Sequence, residues 1–371
     1  MEKRNMKIAI IGTRGIPNYY GGFEQFAEKL SVGLVNRGHK VSVYNSSDHP
    51  FKDKEYKGVQ VIHCYDPEKI LGTSGQFIYD LICIINSRNK KFDIILQLGY
   101  TSSSIWSRLF PKKSIVTTNM DGLEWMRAKY SKKVQKFLKY AESLAIKHSD
   151  YLISDSLGIK EYLQDNYNAG SVYIPYGADE FNAPRASTLV NFNVKPGEYN
   201  LLIARFEPEN SIQLILDGVA SSALLETFLV VGNYNTKYGV FLTKRYESYP
   251  NIKFIGAIYN QEDLNNLRYH SKLYFHGHTV GGTNPSLLEA MASSAIICAH
   301  ENLFNQTILN NSALYFKTSD DVKRILNDFN KNEHIHFIDE NLQKVEKLYR
   351  WDIIIQQYED HFTQILQTKS H

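Results

Sequence analysis

Short apolar strands alternate with amphipathic helices along nearly the whole chain, and the alternation runs through twice. Lys7 to Ile11 reads as a strand. Phe23 to Arg37 reads as a helix, with Phe23, Phe26, Ala27, Leu30, Leu34 and Val35 at helical spacing and Gly38 as its stop. Strands follow at Lys40 to Tyr44, Gly58 to Cys64, Phe92 to Leu98, Ile115 to Thr118, Tyr151 to Ser154 and Val172 to Pro175, with helices over Gly75 to Ser87 and Trp125 to Ser149. Asn182 to Asn200 carries Pro184 and Pro196 with little periodicity and reads as a linker. A second series then sets strands at Leu201 to Arg205, Thr227 to Val231, Ile252 to Ile255, Lys272 to Phe275 and Ala295 to Ala299. Its helices are Ile212 to Val219, Gln261 to His270, one opening at Pro285, and Trp351 to Gln367. Two such series predict an α/β protein of two doubly wound, Rossmann-like domains, and 371 residues exceed the ~250–300 that one core usually holds. Ligands bind such sheets at the carboxyl ends of the strands, and a cleft between two of them is a natural site.

Composition narrows the function. A net charge of +3 is too small to point to nucleic acid, and the basic excess lies in the first half, where an anionic surface would be met. Cys64, Cys83 and Cys298 are far apart in apolar surroundings, so neither a disulfide framework nor a zinc site is expected. With no signal peptide and no apolar run of ~20 residues, the expectation is a cytoplasmic protein.

Three stretches carry chemistry. Gly12 to Gly22 follows the first strand without a strict G-x-G-x-x-G, and no acidic residue closes the second strand, which disfavours NAD. What remains is Gly21-Gly22 at the start of a helix, able to receive phosphate or sugar hydroxyls; a tight turn needing positive φ explains the glycines equally well. The second stretch runs from His276 to Met291 and contains Gly281, Gly282, Thr283, Asn284, Pro285 and Ser286. Pro285 marks the first turn of a new helix, and Glu289 falls one turn inside it. A carboxylate would be repelled by phosphate, so Glu289 is expected to take neutral hydroxyls such as those of a ribose, the plainer reading being a solvated helix face. The third stretch is Ala204 to Asn210, where Arg205 at a strand end can grip a diphosphate and offset charge on a leaving group.

Taken together these residues resemble the family 4 glycosyltransferases of the GT-B fold. "IAIIGTRGIPNYYGGFEQFAEKLSVGLVNRGHKVSVY", "IPYGAD" and "GGTNPSLLEAMAS" look like that family's first strand and helix, its end-of-first-domain segment and its donor helix. "TRGIPNYYGGFE", "DGLEWMRAKY", "ARFEPEN" and "HTVGGTNPSLLEAMA" resemble, more narrowly, a bacterial subgroup that includes rhamnosyltransferases of capsule and cell-wall polysaccharide assembly. The resemblance implies two Rossmann-like domains facing a central cleft: 1–182 for the acceptor, 183–350 for the nucleotide sugar, and a closing helix at 351–371 that crosses back to the first domain, with Trp351 as its anchor. It implies metal-independent transfer with retention from a nucleoside-diphosphate sugar, without a cofactor. On this reading Gly21, Gly22, Arg205, the residues Gly281 to Ser286 and Glu289 bind the donor, and Arg14, Asp121 and Glu124 stand on the acceptor side.

Two departures bear on the donor. Many members carry a glutamate where Gly281 stands, and its loss points to a sugar with fewer hydroxyls, so dTDP-rhamnose is favoured over a UDP-sugar. The lysine often found shortly after the arginine is also missing, with Glu207, Glu209 and Asn210 in its neighbourhood. Asp121 follows a strand and can orient or deprotonate an acceptor hydroxyl; it reads equally as a helix N-cap completed by Glu124. Arg127, Lys129, Lys132, Lys133, Lys136 and Lys139 lie opposite the apolar stripe of the Trp125–Ser149 helix. They read as a solvated face or, given a saccharide acceptor on a lipid diphosphate, as contact with an anionic membrane on the inner face of the plasma membrane. The alternatives in function are a GT-B nucleotide-sugar epimerase and a nonenzymatic sugar-binding protein with a degenerate donor site.

Overall fold

The computed structural model describes residues 5–19, 21–127 and 129–369. Residues 1–4 and 370–371, placed above at the two ends of the first domain and closing helix, lie outside the described residues. The chain divides into two compact units: Met1–Trp125, Tyr130–Gly177 and Trp351–His371 form the first, and Met126–Lys129 with Ala178–Arg350 form the second.

Among the described residues the first unit holds eight strands: β1 (Lys7–Ile11), β2 (Lys40–Ser46), β3 (Glu55–Tyr56), β4 (Val59–Cys64), β5 (Ile94–Leu98), β6 (Ile115–Asn119), β7 (Tyr151–Ser154) and β8 (Val172–Tyr173). Their order is β3-β4-β2-β1-β5-β6-β7-β8, parallel except for the short β3. Every residue of β5 and β6 is buried, as expected of central strands covered on both faces by crossover helices. The order reverses between β1 and β5, so the loops after these two strands diverge to opposite faces and open a crevice at their carboxyl ends.

The last helix, Trp351–Lys369, belongs to this first unit. Gly33 lets it lie close on the helix Gly22–Asn36, for a Cβ there would sit 2.3 Å from Ile355 Cδ1. Arg37 pairs with buried Glu359 at 2.7 Å, and the Trp351 ring fills the space that a side chain at Gly177 would need. No helix among the described residues is long and apolar enough to cross a membrane.

The second unit carries β9 (Tyr199–Ile203), β10 (Thr227–Val231), β11 (Ile252–Gly256), β12 (Leu273–His276), β13 (Ile297–His300) and β14 (Leu314–Phe316). They form a parallel sheet in the order β11-β10-β9-β12-β13-β14, which places a second reversal between β9 and β12. Leu202, Phe228, Val230 and Phe275 lie in its core with Ile215 and Leu216 of the covering helix Ile212–Ser221.

Two expectations need correction. The stretch read as a linker is packed into the second unit: Leu189 is buried in the short turn Ala186–Phe192, and the Arg185 amide donates to Asn266 Oδ1 at 2.6 Å. Its prolines marked irregular chain, not loose chain. The long helix of the first unit starts at Lys132 instead of Trp125, capped by the Ser131 hydroxyl. Asp121 therefore caps nothing there, and Arg127 and Lys129 lie outside that helix.

Candidate active site

In the first unit the glycine loop leaves β1 at the reversal of the sheet. Its steric demands fall on Gly12 and Gly15. Both have positive φ (93° and 127°), and a Cβ would lie 2.2 Å from Leu98 O at the first and 2.3 Å from Asn45 Cγ at the second. Gly21 has extended backbone (φ 178°), and an added Cβ would meet only Glu24 Oε2 at 3.8 Å, so neither turn geometry nor packing requires a glycine there. The Gly21 amide donates to Asn18 Oδ1, and Gly22 O accepts from the Tyr176 hydroxyl. Glu24, which the sequence reading passed over, is buried and takes the Arg14 amide (2.9 Å) and the Thr13 hydroxyl (3.2 Å) on Oε1. Arg14 itself closes a two-point ion pair with Glu68 (3.0 and 2.6 Å).

Asp121 lies past the end of β6, on the same edge of the sheet as Arg14, with β5 between their strands. It adopts φ +48°, and its amide donates to Asn119 Oδ1 at 2.9 Å, an Asx turn that tolerates the left-handed backbone. Asn119 is held in turn by Tyr358 of the last helix (3.1 Å). Glu124 opens a single 3₁₀ turn, Glu124–Met126.

Behind this loop stands a cluster that the sequence did not reveal. Buried Glu142 accepts from Tyr100 (3.2 Å) and Trp125 Nε1 (3.1 Å) on one oxygen, and from Lys139 (2.9 Å), Tyr162 (2.7 Å) and Tyr167 (2.6 Å) on the other. Lys139 Nζ also sits 4.4 Å from the Trp125 ring centroid, so it is not part of a solvated basic face. Burial, and then the Glu142 charge, push the Tyr100 phenol well above its ordinary range.

Asp80 is a further buried carboxyl on this unit, bonded to the Ser102 hydroxyl at 2.5 Å. Burial first, then Asp66, pushes it up to about 7, against the opposing pull of Ser102 and Arg14. A raised acid stabilises the fold fully below the unfolded value of ~3.9 and loses that contribution as pH rises through 7. Asp80→Asn abolishes the loss. Its unfolding free energy relative to wild type is expected to rise by on the order of 2–4 kcal/mol between pH 4 and pH 8, read by urea titration at both. An unchanged difference between the two proteins across that range would refute this assignment.

In the second unit the site residues gather at the reversal between β9 and β12. Gly277 makes this possible: a Cβ there would stand 2.1 Å from Asn210 O, so the two loops touch backbone to backbone. Thr279 binds Glu209 O through both its amide (3.0 Å) and its hydroxyl (2.8 Å). Arg205 lies just past β9, exposed, and among the described residues no carboxylate pairs with it. Asn210, one of the three residues in the neighbourhood of the missing lysine, is buried and ties back to Arg205 O at 2.7 Å.

The donor loop leads into the helix Pro285–Ala292. Asn284 caps it by accepting from the Ser286 amide (2.9 Å), and Pro285 occupies the first turn. Gly281 has φ 137° with nothing within 4 Å of an added Cβ, and Thr283 is buried between the loop and the helix start. Gly282 is half-buried. Ser286 and Glu289 do not face a solvated helix flank. The fully buried Arg268 bonds Glu289 Oε2 (2.7 Å) and Ser286 Oγ (3.1 Å), and Tyr274 meets the same hydroxyl at 2.9 Å. The signal for Arg268 was present in its spacing: it follows Leu264 and Leu267 on the inward stripe of the helix Gln261–His270. Burial first, then the charges of Arg205 and Arg127, push the imidazole of His278 down to about 3.

A family model described as a domain of unknown function (DUF1972) matches residues 5–179. No curated protein matches the chain by sequence. Among solved structures, sucrose-phosphate synthase from Thermosynechococcus elongatus is 16% identical, with 98% of this chain and 100% of that one covered and a TM-score of 0.79. Anabaena HepE in complex with UDP and glucose is 16% identical over 97% and 100% of the two chains, with a TM-score of 0.76. A UDP-forming trehalose-phosphate synthase from Burkholderia xenovorans, in complex with glucose-6-phosphate, is 10% identical over 97% and 100%, with a TM-score of 0.72. Identity this low speaks to architecture, and the architecture is plain: this chain has the GT-B fold.

Proposed function

We propose that this protein is a retaining glycosyltransferase that moves a sugar from a nucleoside-diphosphate donor to a saccharide, free or carried on a lipid diphosphate, in cell-surface polysaccharide synthesis. The observation that carries the reading is that the exposed Arg205, with which no carboxylate pairs among the described residues, and the loop leading into the helix Pro285–Ala292 both leave the second sheet at its reversal, where Gly277 touches Asn210 O. An anion is favoured at such a place by charge and helix dipole together. HepE was solved with UDP and glucose, and the trehalose-phosphate synthase is UDP-forming, which supports a nucleotide-sugar donor.

In this reading the bond between the anomeric carbon and the phosphate oxygen breaks, the sugar gains oxocarbenium character, and charge builds on the departing diphosphate. Arg205 and the helix dipole stabilise that charge without a metal or cofactor. The acceptor hydroxyl attacks from the face the diphosphate leaves and gives up its proton to that phosphate, with Asp121 orienting it. The absence of a carboxylate at Gly281 fits a sugar with fewer hydroxyls, with dTDP-rhamnose as the favoured donor and a UDP-sugar as the alternative. The exposed Lys132, Lys133 and Lys136 fit peripheral contact with an anionic membrane surface.

The experiment is a panel of radiolabelled nucleotide sugars, dTDP-rhamnose included, incubated with membrane lipid extracts and either wild type or Asp121→Asn. Wild type is expected to label an acceptor from one donor, and the Asp121→Asn enzyme to turn over ~10²-fold more slowly or less. A donor consumed with no acceptor present would favour the epimerase. Failure of every nucleotide or nucleotide sugar to raise the melting temperature would leave only a nonenzymatic protein. Near-normal turnover by Asp121→Asn would remove that side chain from the mechanism.

A further inference from the structure

The segment Met126–Lys129 groups with the second unit although it follows β6 of the first, and two ion pairs join it to that unit. Arg127 faces Glu209 at 3.7 Å, and Lys129 faces Glu207 at 3.5 Å. The two acidic residues are those standing in the neighbourhood of the lysine that the donor loop lacks. Met126 to Lys129 thus brings two cations to the acidic residues of Ala204 to Asn210.

The Arg127–Glu209 pair is an odd one to keep for stability alone. Both side chains are largely removed from water, at 14% and 4% exposure, yet 3.7 Å is too long for a hydrogen bond, and neither Glu209 oxygen accepts one. A buried carboxylate left so poorly satisfied costs free energy, and a pair of this quality does not repay its desolvation. Arg127 lies close enough to His278, the first side chain of the donor loop, to disfavour its protonation together with Arg205. Two guanidinium groups thus flank one short stretch of loop.

We propose that Arg127 is a second diphosphate-binding cation, supplying from the Met126–Lys129 segment the positive charge that Asn210 does not, with Glu209 holding it in place until the donor arrives. The proposal rests on the glycosyltransferase reading above. It predicts that the donor site of this chain is completed by a residue distant in sequence from both of its loops. A guanidinium replaces an ammonium there, so the phosphate is gripped by a planar fork and not by a point charge.

The test is calorimetric binding of UDP and dTDP to wild type, Arg127→Met and Glu209→Gln. Arg127→Met is expected to bind about 10–100-fold more weakly than wild type. Glu209→Gln keeps the shape and removes the competing negative charge, so its affinity is expected to equal or exceed that of wild type. A purely structural latch would move both variants in the same direction. Comparable weakening in both, or Arg127→Met within twofold of wild type, overturns the proposal while leaving the wider reading standing. A wild type that binds neither nucleotide overturns both. Arg127→Lys, which keeps the charge, is expected to fall between wild type and methionine, and covers the case in which Arg127→Met fails to fold.

Discussion

Replacing Arg205 by methionine is expected to lower kcat/KM for the nucleotide-sugar donor by about 10²–10³-fold, the usual effect of deleting a group aimed at charge that develops in the transition state. The fall should appear in kcat as well as in donor affinity, because the leaving diphosphate carries more charge than the bound substrate does. Stability should stay within ~0.5 kcal/mol of wild type, since Arg205 is exposed and pairs with no carboxylate among the described residues. This separation of activity from stability is the informative part. Steady-state kinetics with the identified donor, beside urea unfolding, reads both. Wild-type kcat/KM in the variant would place the reacting phosphate elsewhere.

Glu142→Ala is expected to do the reverse and strike the fold of the first unit. It deprives Tyr100, Trp125, Tyr162 and Tyr167 of their acceptor and leaves the Lys139 charge among aromatic rings without a counter-ion. Lys139 is 38% exposed and keeps access to water, so the cost falls mainly on the donors left without an acceptor, about 2–4 kcal/mol in all. Because the protein has two units, the loss should appear as an earlier first transition in a urea curve and not as a uniform shift. Tryptophan fluorescence should report it, since Trp125 loses its hydrogen bond to Glu142 and the anchoring of its lysine contact together. Glu142→Gln is expected to lose less, because it keeps one acceptor oxygen. A Glu142→Ala protein as stable as wild type would show that the cluster is incidental.

Much of this architecture was legible before any coordinate, and the reasons are physical. Central strands such as β1 and β5 are buried on both faces, so they stand out as nearly continuous apolar runs, interrupted only by Gln97 in β5 once Lys7 has opened β1. Pro285 and Asn284 mark a helix start because each satisfies a terminal backbone demand that few other residues satisfy. The helices Leu157–Tyr167, Lys237–Arg245 and Ser319–Asp328 were missed although Ser156, Thr236 and Thr318 cap them. Each buries only one or two large apolar residues (Ile159 and Leu163, Leu242, and Val322 and Leu326), too few to set a helical period against the polar residues around them. The site was legible only where chemistry is local. Arg205 and the donor loop can be read from a few neighbouring residues. The partners of Glu142 and Glu289 cannot, for they arrive from other elements, and the same letters in a solvated helix would look no different. The Gly21-Gly22 pair taught a narrower lesson: the demands of the backbone fall on Gly12 and Gly15, so density of glycine is a poor guide to which glycine matters.

The first unit is not contiguous in the chain, and this has a consequence for how it is made. Its last helix, Trp351–Lys369, is synthesised only after the whole second unit. Until then the nascent first unit lacks the partner that covers Phe26, Tyr176 and the groove at Gly33. The usual order of synthesis, in which the amino-terminal domain finishes first, is inverted here. The half made earliest stays unfinished and sticky the longest, and chaperones have their longest window of work on it.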